Sequence, residues 1–493
     1  MLKKGATVFV VAHSQYRGVY MGIARRLKAE LDAEIHLYAA TPQESAYYQR
    51  TQPDLFASIT VSRALYTTCR EVVSDEAAVI ETARRNEAEL GVTINELAVS
   101  DRHLGRGFAP GGFRHPRSRI SEETSYIQML NGFNAVFDFW RREFDEKQPD
   151  LLLNAGKVLC VLARSRNIPA RVLAGSRFKN LHYWAVNEFF ENPDFEAAYR
   201  TARPSADLKL LQPYDSHLRY RAHFRRESTL WRTLKTIGYM ILERAYWKIR
   251  GYEKAKGYYL RQNISYQFRR YRGMQRMTRR GLAGVDGFAA RPFAFFPLAT
   301  EPETSLQMLS PEYHYQLPAI ASVVRDLPAG VELAVKEHYA AAGRRPVDFY
   351  GQISEFKNVR FMNMAELGIE AVRASRAVVT ISGTGGFEGA VMGKPVISFG
   401  RHNIYNFLPH VMVVTDEVQL RKYLGQAFSD EFDAGRAAAE GQRFLQAVID
   451  ASFDLAEFQP IEPDRVSNAA LAECYRNLLA GLGTGARTAA VAG

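Results

Sequence analysis

Two stretches of the chain share one pattern: a short apolar run, a polar loop, a helical stretch with apolar positions every three or four residues, then another apolar run. The first begins at Val8-Phe9-Val10-Val11 and passes through His13-Ser14-Gln15-Tyr16-Arg17-Gly18. It has helical spacing around 23–27 and returns to Ile35-His36-Leu37-Tyr38. Strand, loop, helix and strand in that order make a βαβ unit, which implies a parallel sheet. Further strands are expected at 149–154 and 170–174, with a helix at 158–166 between them. Residues 1–205 are therefore read as an N-terminal Rossmann-like domain.

The second stretch is more regular. Strands are expected at 293–298, 331–336, 359–361, 377–381 and 395–399, with helices at 311–327 and 364–375. This assigns 285–430 to a second doubly wound α/β domain. Residues 431–482 read as helices, and 483–493, rich in Gly and Ala, as a disordered tail. A length of 493 residues suits two or three domains.

Between the two patterns lies 206–284, which has few strand signals. From 219 to 280 the sequence carries eighteen Lys or Arg against three acids, a surplus larger than the +11 of the whole chain. Residues 229–249 have helical apolar spacing at Leu230, Leu234, Ile237 and Ile241, joined by Trp231, Tyr239, Tyr246 and Trp247. Basic residues mixed with Trp and Tyr on helices suit an anionic lipid surface. A solvated insert packed on its own domains is the alternative. Nucleic acid is the third reading and is not adopted, because no recognised nucleic-acid motif accompanies the charge.

Other features narrow the class. Cys69, Cys160 and Cys474 are odd in number and far apart, which argues against a disulfide framework or a zinc site and for a reducing compartment. No apolar run approaches the roughly 18 residues needed to cross a bilayer, and the opening run reads as a buried strand rather than a signal peptide. The expectation is a cytoplasmic protein, peripheral at the inner face of the cell membrane.

The strongest chemical signal is Val378-Val379-Thr380-Ile381-Ser382-Gly383-Thr384-Gly385-Gly386-Phe387-Glu388-Gly389. A buried strand ends in hydroxyl and glycine residues where a helix starts, and free backbone N–H groups and the helix dipole there favour a phosphate. Ser382 and Thr384 add hydroxyls. Gly383, Gly385 and Gly386 allow close approach, and Glu388 is one turn in, where it can accept from ribose hydroxyls. The same segment also serves as a plain strand-to-helix turn. It is neither a Walker loop nor a first-turn Gly-x-Gly-x-x-Gly. Lys336 and His338 stand at the end of a parallel strand, where ligands bind in open α/β sheets.

Three segments in order carry a resemblance: Phe296-Pro297-Leu298-Ala299-Thr300-Glu301-Pro302-Glu303-Thr304-Ser305, Leu333-Ala334-Val335-Lys336-Glu337-His338, and the glycine segment running on through Ala390-Val391-Met392-Gly393-Lys394-Pro395-Val396-Ile397-Ser398-Phe399-Gly400. Together they resemble the capsule polysaccharide biosynthesis family, which includes Kdo-transferase-like enzymes. Where that family has His-Pro, this chain has His338-Tyr339. The resemblance implies a GT-B architecture: two Rossmann-like domains facing a cleft, with the terminal helices crossing back. It implies a glycosyltransferase that binds a nucleotide-sugar donor in the second domain, with His338 near the donor phosphates, and a glycan or glycolipid acceptor in the first.

Glu303 sits in the loop after the first strand of the donor domain. It either orients sugar hydroxyls, acts as base, or simply starts a helix. On the acceptor side, Asp101-Arg102-His103 and Arg106 crowd one glycine-bearing loop. Asp101 or His103 is a candidate base, with closure of the loop by an Asp–Arg pair as the plain alternative. His13, Arg17 and Gly18 belong to the first βα loop and are expected to face the cleft, as are Ser176 to Asn180. There is no Asp-x-Asp motif after a strand and no His/Cys cluster, so no metal and no resident cofactor is expected; the nucleotide sugar is a co-substrate. The expected function is sugar transfer to a growing capsular or other surface polysaccharide or its lipid-linked acceptor. A polyol-phosphate transferase with a CDP-linked donor and a non-catalytic scaffold of the export machinery are the alternatives.

Overall fold

The computed structural model describes residues 2–99, 101, 103–104, 116–212, 229–252, 258–279, 282–300, 306, 309–313, 315–338, 341–346, 348–456 and 458–488. Glu303, Arg102 and Arg106 lie outside the described residues, as do 219–228 and 253–257 of the basic segment.

The first sheet is built on β1 (Thr7–Val11), β2 (Glu34–Ala39), β3 (Ser58–Val61), β4 (Leu151–Leu153), β5 (Ala170–Gly175) and β6 (Leu181–Ala185). Strand order is β6-β5-β4-β1-β2-β3, with a short strand from the end of the chain added beyond β6. β1 to β5 run parallel, whereas β6 is antiparallel to β5. The parallel strands are apolar on both faces because helices cover both. In β1, Phe9 enters one core while Val8 and Val10 enter another. The β5–β6 turn holds Arg177 and Lys179 at φ of 68° and 48°, so the stretch expected only as a loop is a hairpin connection.

The second sheet is wholly parallel. It comprises β7 (Phe293–Pro297), β8 (Glu332–Lys336), β9 (Val359–Met362), β10 (Ala377–Thr380), β11 (Val396–Ser398) and β12 (Val411–Val413), ordered β12-β11-β10-β7-β8-β9. Two α/β domains, each with a parallel core, make the GT-B architecture. Helices Leu230–Ile249 and Leu260–Arg279 lie between them in sequence.

The end of the chain returns to the first domain. Helix Ala434–Asp450 packs on helix Pro193–Thr201. Arg443 donates to the carbonyls of Arg200 and Ala202, and Tyr199 donates to Glu440 at 2.6 Å. The two-residue β13 (Phe453–Asp454) then joins β6 antiparallel. Helix Asn468–Thr488 covers the outer face, burying Leu471, Cys474, Tyr475 and Leu478 with Val8, Val10 and Trp184.

This return corrects two expectations. Arg17 and Gly18 serve the crossover rather than an open cleft. The Arg17 guanidinium pairs with Asp464, its Nε at 2.7 Å from Oδ1, and stacks over Tyr47. The Gly18 N–H donates to the Pro463 carbonyl at 2.7 Å, and a Cβ at Gly18 would come within 2.6 Å of that oxygen. The expected tail is also partly helix: Asn468–Thr488 runs through 483–488. Extending a helix already nucleated by packing costs little per residue, and Arg171 holds the Gly481 carbonyl at 2.9 Å.

Leu478 is fully buried in this seam. Leu478→Ala is expected to destabilise the protein by about 2–5 kcal/mol in urea unfolding. A cost below about 1 kcal/mol would mean the last helix is dispensable to the first domain.

Candidate functional site

Each sheet has a point where strand order reverses, and the crevice beyond the strand ends there is the natural ligand site. In the second sheet it falls between β7 and β10. The 381–383 turn leaves β10 at this point and enters helix Thr384–Val391. Gly383 takes φ 129°, a value that only glycine adopts easily, and nothing lies within 4 Å of a Cβ built on it. The other glycines serve packing. A Cβ at Gly385 would touch Pro297 of β7 at 2.9 Å, and one at Gly386 would meet the Tyr405 hydroxyl at 2.2 Å. Gly383 alone of the three faces open space. The Ser382 hydroxyl is buried and has no hydrogen-bond partner. A helix start leaves its first N–H groups without intrahelical acceptors, so the 382–386 turn offers donors and positive dipole to an anion.

The turn is held from behind. The Asn403 side chain donates to the Ile381 carbonyl at 2.9 Å and the Ser310 hydroxyl to the same oxygen at 3.3 Å. Asn403 also donates to Ser398 at the end of β11.

The end of β8 gathers buried charge. Glu337 is gripped by Arg345, with Nε to Oε2 at 2.5 Å and Nη2 to Oε1 at 3.0 Å. Tyr350 donates to it at 2.6 Å and the His338 N–H at 2.7 Å. Arg345 also donates to the Ala299 carbonyl, so it pins the loop after β8 to the loop after β7. Arg345 is itself buried in this network. Lys336 is buried, and burial draws its ammonium down to about 8, opposed by Glu337, Glu366 and Glu388. Burial pushes the Glu388 carboxyl up to about 8, opposed by Arg373 and Lys336. Burial thus favours the protonated form of Glu388, which offers a hydroxyl as well as a carbonyl. His338 is exposed at the rim.

The reversal in the first sheet falls between β1 and β4. A cavity of about 440 Å³ opens there. One wall comes from the first domain: His13 and Tyr16 after β1, Asn154 to Gly156 after β4, and Arg177 and Glu188 around β5 and β6. The opposite wall is Leu309, His402, Asn403 and Ile404 of the second domain. His13 accepts from the N–H groups of Gln15 and Tyr16 at Nδ1, both at 3.1 Å. Its proton is thus on Nε2, and burial lowers its pKa, so it is a neutral donor. Across the cavity His402 stacks on Phe189, with centroids 3.9 Å apart, and its Nδ1 meets Glu191 Oε1 at 2.7 Å. The His402 contact holds the Glu191 carboxyl below the usual range.

Asp101 and His103 are elsewhere. Asp101 accepts from the Tyr66 hydroxyl and from the N–H groups of His103 and Leu104. It closes its own turn, and a carboxylate so well solvated by donors is a poor base. His103 is buried, bonded to Ser118 at 2.7 Å and stacked on Tyr258. It lines a separate cavity of about 660 Å³ with Leu104, Ile120, Met129 and Tyr315. Sequence reasoning missed Asn154, His402, Asn403 and Glu191. The first three sit just past the ends of parallel strands, a positional signal that was available; Glu191 carries none. Among the described residues, no group of three His, Cys, Asp or Glu is gathered as a metal site would require.

Residues 202–422 match the family model described as capsule polysaccharide biosynthesis protein. This segment is similar to the capsule polysaccharide biosynthesis family. It contains the basic helices, Lys336, His338, the 382–386 turn and His402. Similar solved structures include Thermosulfurimonas dismutans KpsC, beta Kdo 2,7 transferase, 12% identical, covering 69% of this chain and 89% of that one, with a TM-score of 0.33. The glycotransferase of kitacinnamycin is 13% identical and covers 91% and 96%, with a TM-score of 0.27. UDP-GlcNAc 2-epimerase from Neisseria meningitidis, bound to UDP-GlcNAc, is 10% identical and covers 90% and 100%, with a TM-score of 0.25. No curated protein matches the chain.

The Lys336–Glu388 pair yields a pH signature. Glu388 keeps its proton to about 8 when folded but only to 4.5 by its ordinary value. The native state then binds the extra proton, so stability falls as pH rises across that window. Lys336 acts in the opposite sense above about 8, where the unfolded chain holds the extra proton up to 10.5 and stability rises with pH. Glu388→Gln keeps the shape of the neutral acid and removes the first limb. Its stability relative to the parent should rise with pH by up to about 1.4 kcal/mol per unit between about 5 and 8, read by urea unfolding. A difference that stays flat would mean an ionised Glu388.

Proposed function

We propose that the protein is a glycosyltransferase that moves a sugar from a nucleotide-sugar donor to a growing capsular or other surface polysaccharide, or to its lipid-linked primer. One observation carries this proposal: Asn403 lines the inter-domain cavity and also holds the Ile381 carbonyl that shapes the 382–386 turn. An anion-binding turn and a cavity large enough for a sugar thus share a wall. The match of 202–422 to the capsule family model supports the substrate class.

In this mechanism the donor diphosphate or phosphate rests on the N–H groups at Gly383 to Gly386 and the Ser382 and Thr384 hydroxyls. Lys336 offsets its charge from the end of β8, and Glu388 takes a ribose hydroxyl. The acceptor enters the cavity at the first switch point, where Arg177 and the His13 Nε2–H orient its oxygens. Glu191 accepts a hydrogen bond from the Nδ1–H of His402, leaving Nε2 as acceptor, which is the arrangement of an oriented general base. An acceptor hydroxyl attacks the anomeric carbon and its proton passes to His402 Nε2. The bond from that carbon to the phosphate oxygen breaks, and the nucleotide leaves carrying the electron pair. Preorganised N–H groups and Lys336 stabilise the charge as it develops.

A thermal-shift screen against CMP, CDP, UDP, GDP and ADP, without added metal, is expected to raise the melting temperature with one nucleotide class. Ser382→Ala with Thr384→Ala should weaken that ligand by about tenfold to a hundredfold. No shift with any nucleotide would remove the donor site and favour a scaffold. If turnover occurs only with CDP-polyol donors, the polyol-phosphate alternative replaces the sugar.

His402→Asn and Glu191→Gln should each lower kcat by about 10² or more while leaving the nucleotide shift in place. Unchanged kcat in both would return the base to another residue.

A further inference from the structure

Helix Leu230–Ile249 is amphipathic the wrong way round for a soluble insert. With about 100° between successive residues, Thr233 and Ile237 are buried against the protein, and Met240 and Trp247 flank them half-buried. That is a narrow packing stripe. The opposite side, which a solvated helix keeps polar, carries Trp231, Leu242, Tyr246 and Ile249 around Lys235, with Leu230, Leu234 and Ile241 exposed beside it. Trp231 is 75% exposed, Leu242 71%, Ile249 83% and the neighbouring Tyr239 67%. Among the described residues, nine of the thirteen exposed large apolar side chains fall in 230–252. They form one patch rather than the scatter of single side chains that ordinary surfaces carry.

Charge decides what this patch meets. The helix and its C-cap contribute Arg232, Lys235, Arg244, Lys248 and Arg250 against the single acid Glu243. Lys235 lies within the apolar stripe, and Arg232 and Arg250 border it on one side. The neighbouring helix Leu260–Arg279 has five further Arg before its last residue and no acid. A second copy of this chain would bring two such basic faces together, at an electrostatic cost. An anionic lipid surface offers the complement: headgroups for the cations, acyl chains for the apolar stripe, and an interface where Trp and Tyr are at home. No described helix is long and apolar enough to cross a membrane, so the contact is in-plane.

We propose that helix Leu230–Ile249 docks the protein onto an anionic bilayer, with Trp231, Leu242 and Ile249 inserted between headgroups. This surface is outside the cleft, and its role does not depend on which donor the cleft takes.

The test is co-sedimentation of the full chain with phosphatidylcholine vesicles, with and without phosphatidylglycerol. Binding is expected only with phosphatidylglycerol and should weaken with salt. Replacing Trp231→Ser, Leu242→Ser and Ile249→Ser together should lower partitioning by about a hundredfold. Lys235→Glu with Lys248→Glu should lower it by about fivefold or more per site. Both variants change exposed side chains, and each must keep the parental circular dichroism and nucleotide shift. A parent that stays in the supernatant with phosphatidylglycerol vesicles overturns the proposal, and so does a serine variant that binds as well as the parent. A concentration-dependent dimer in sedimentation velocity that the serine variant abolishes would assign the face to a second copy instead.

Discussion

Helix Ala434–Asp450 lies against helix Pro193–Thr201, after which the chain adds β13 to the edge of the first sheet and covers that sheet's outer face with its last helix. The cleft exists because of this return. Without it, the two domains would be joined mainly through the basic segment, and loops after β11 would have no fixed partner in the first domain. With it, Tyr199, Arg200 and Ala202 bind Glu440 and Arg443, and the stack of Phe189 on His402 falls on the same side. Inter-domain surfaces within a chain are usually polar and mobile. Here one core cluster runs from Phe9 and Leu152 through Phe195 to Phe295, Val378 and Phe444, which favours a cleft of defined width.

Inside the second domain, buried charge is arranged by a simple rule. Ionised side chains survive burial when they are paired and hydrogen-bonded. Glu337 satisfies it at the strand end through Arg345, Tyr350 and a backbone N–H. Lys336 and Glu388 have electrostatic neighbours but a weaker claim to charge, and burial moves both toward neutrality. The first network fixes a loop. The second leaves two buried groups whose charge burial disfavours.

The parallel cores were legible because their strands are continuous apolar runs bounded by polar loops, as at 8–11, 293–297 and 377–380. The glycine turn was legible because strand end, hydroxyl, glycine and helix are consecutive. What was missed is long-range. Arg17 and Asp464 are 447 positions apart, and His402 and Glu191 are 211 apart; no local pattern marks either pair. β13 is two residues long and exists only because β6 offers an edge. Asp101 looked chemical in a loop of acid, base and imidazole, yet Tyr66 and two backbone N–H groups use it to close a turn. Composition marks a residue as capable of chemistry, while the number of donors already facing it decides whether that capacity is free.

The same distinction separates the two surfaces of the molecule that favour anions. At the 382–386 turn the attraction comes from aligned N–H groups and a buried hydroxyl, short-ranged and directional, suited to one phosphate in one pose. Along helix Leu230–Ile249 it comes from mobile Lys and Arg beside an exposed apolar stripe, without fixed geometry, suited to a surface of many headgroups. A site that must orient a reacting bond needs the first kind, and a surface that must only hold a protein on a bilayer, as proposed for this helix, needs the second. The net positive charge of the chain is concentrated in the 219–280 segment that holds this helix, so pI alone gave no guide to the location of the chemistry.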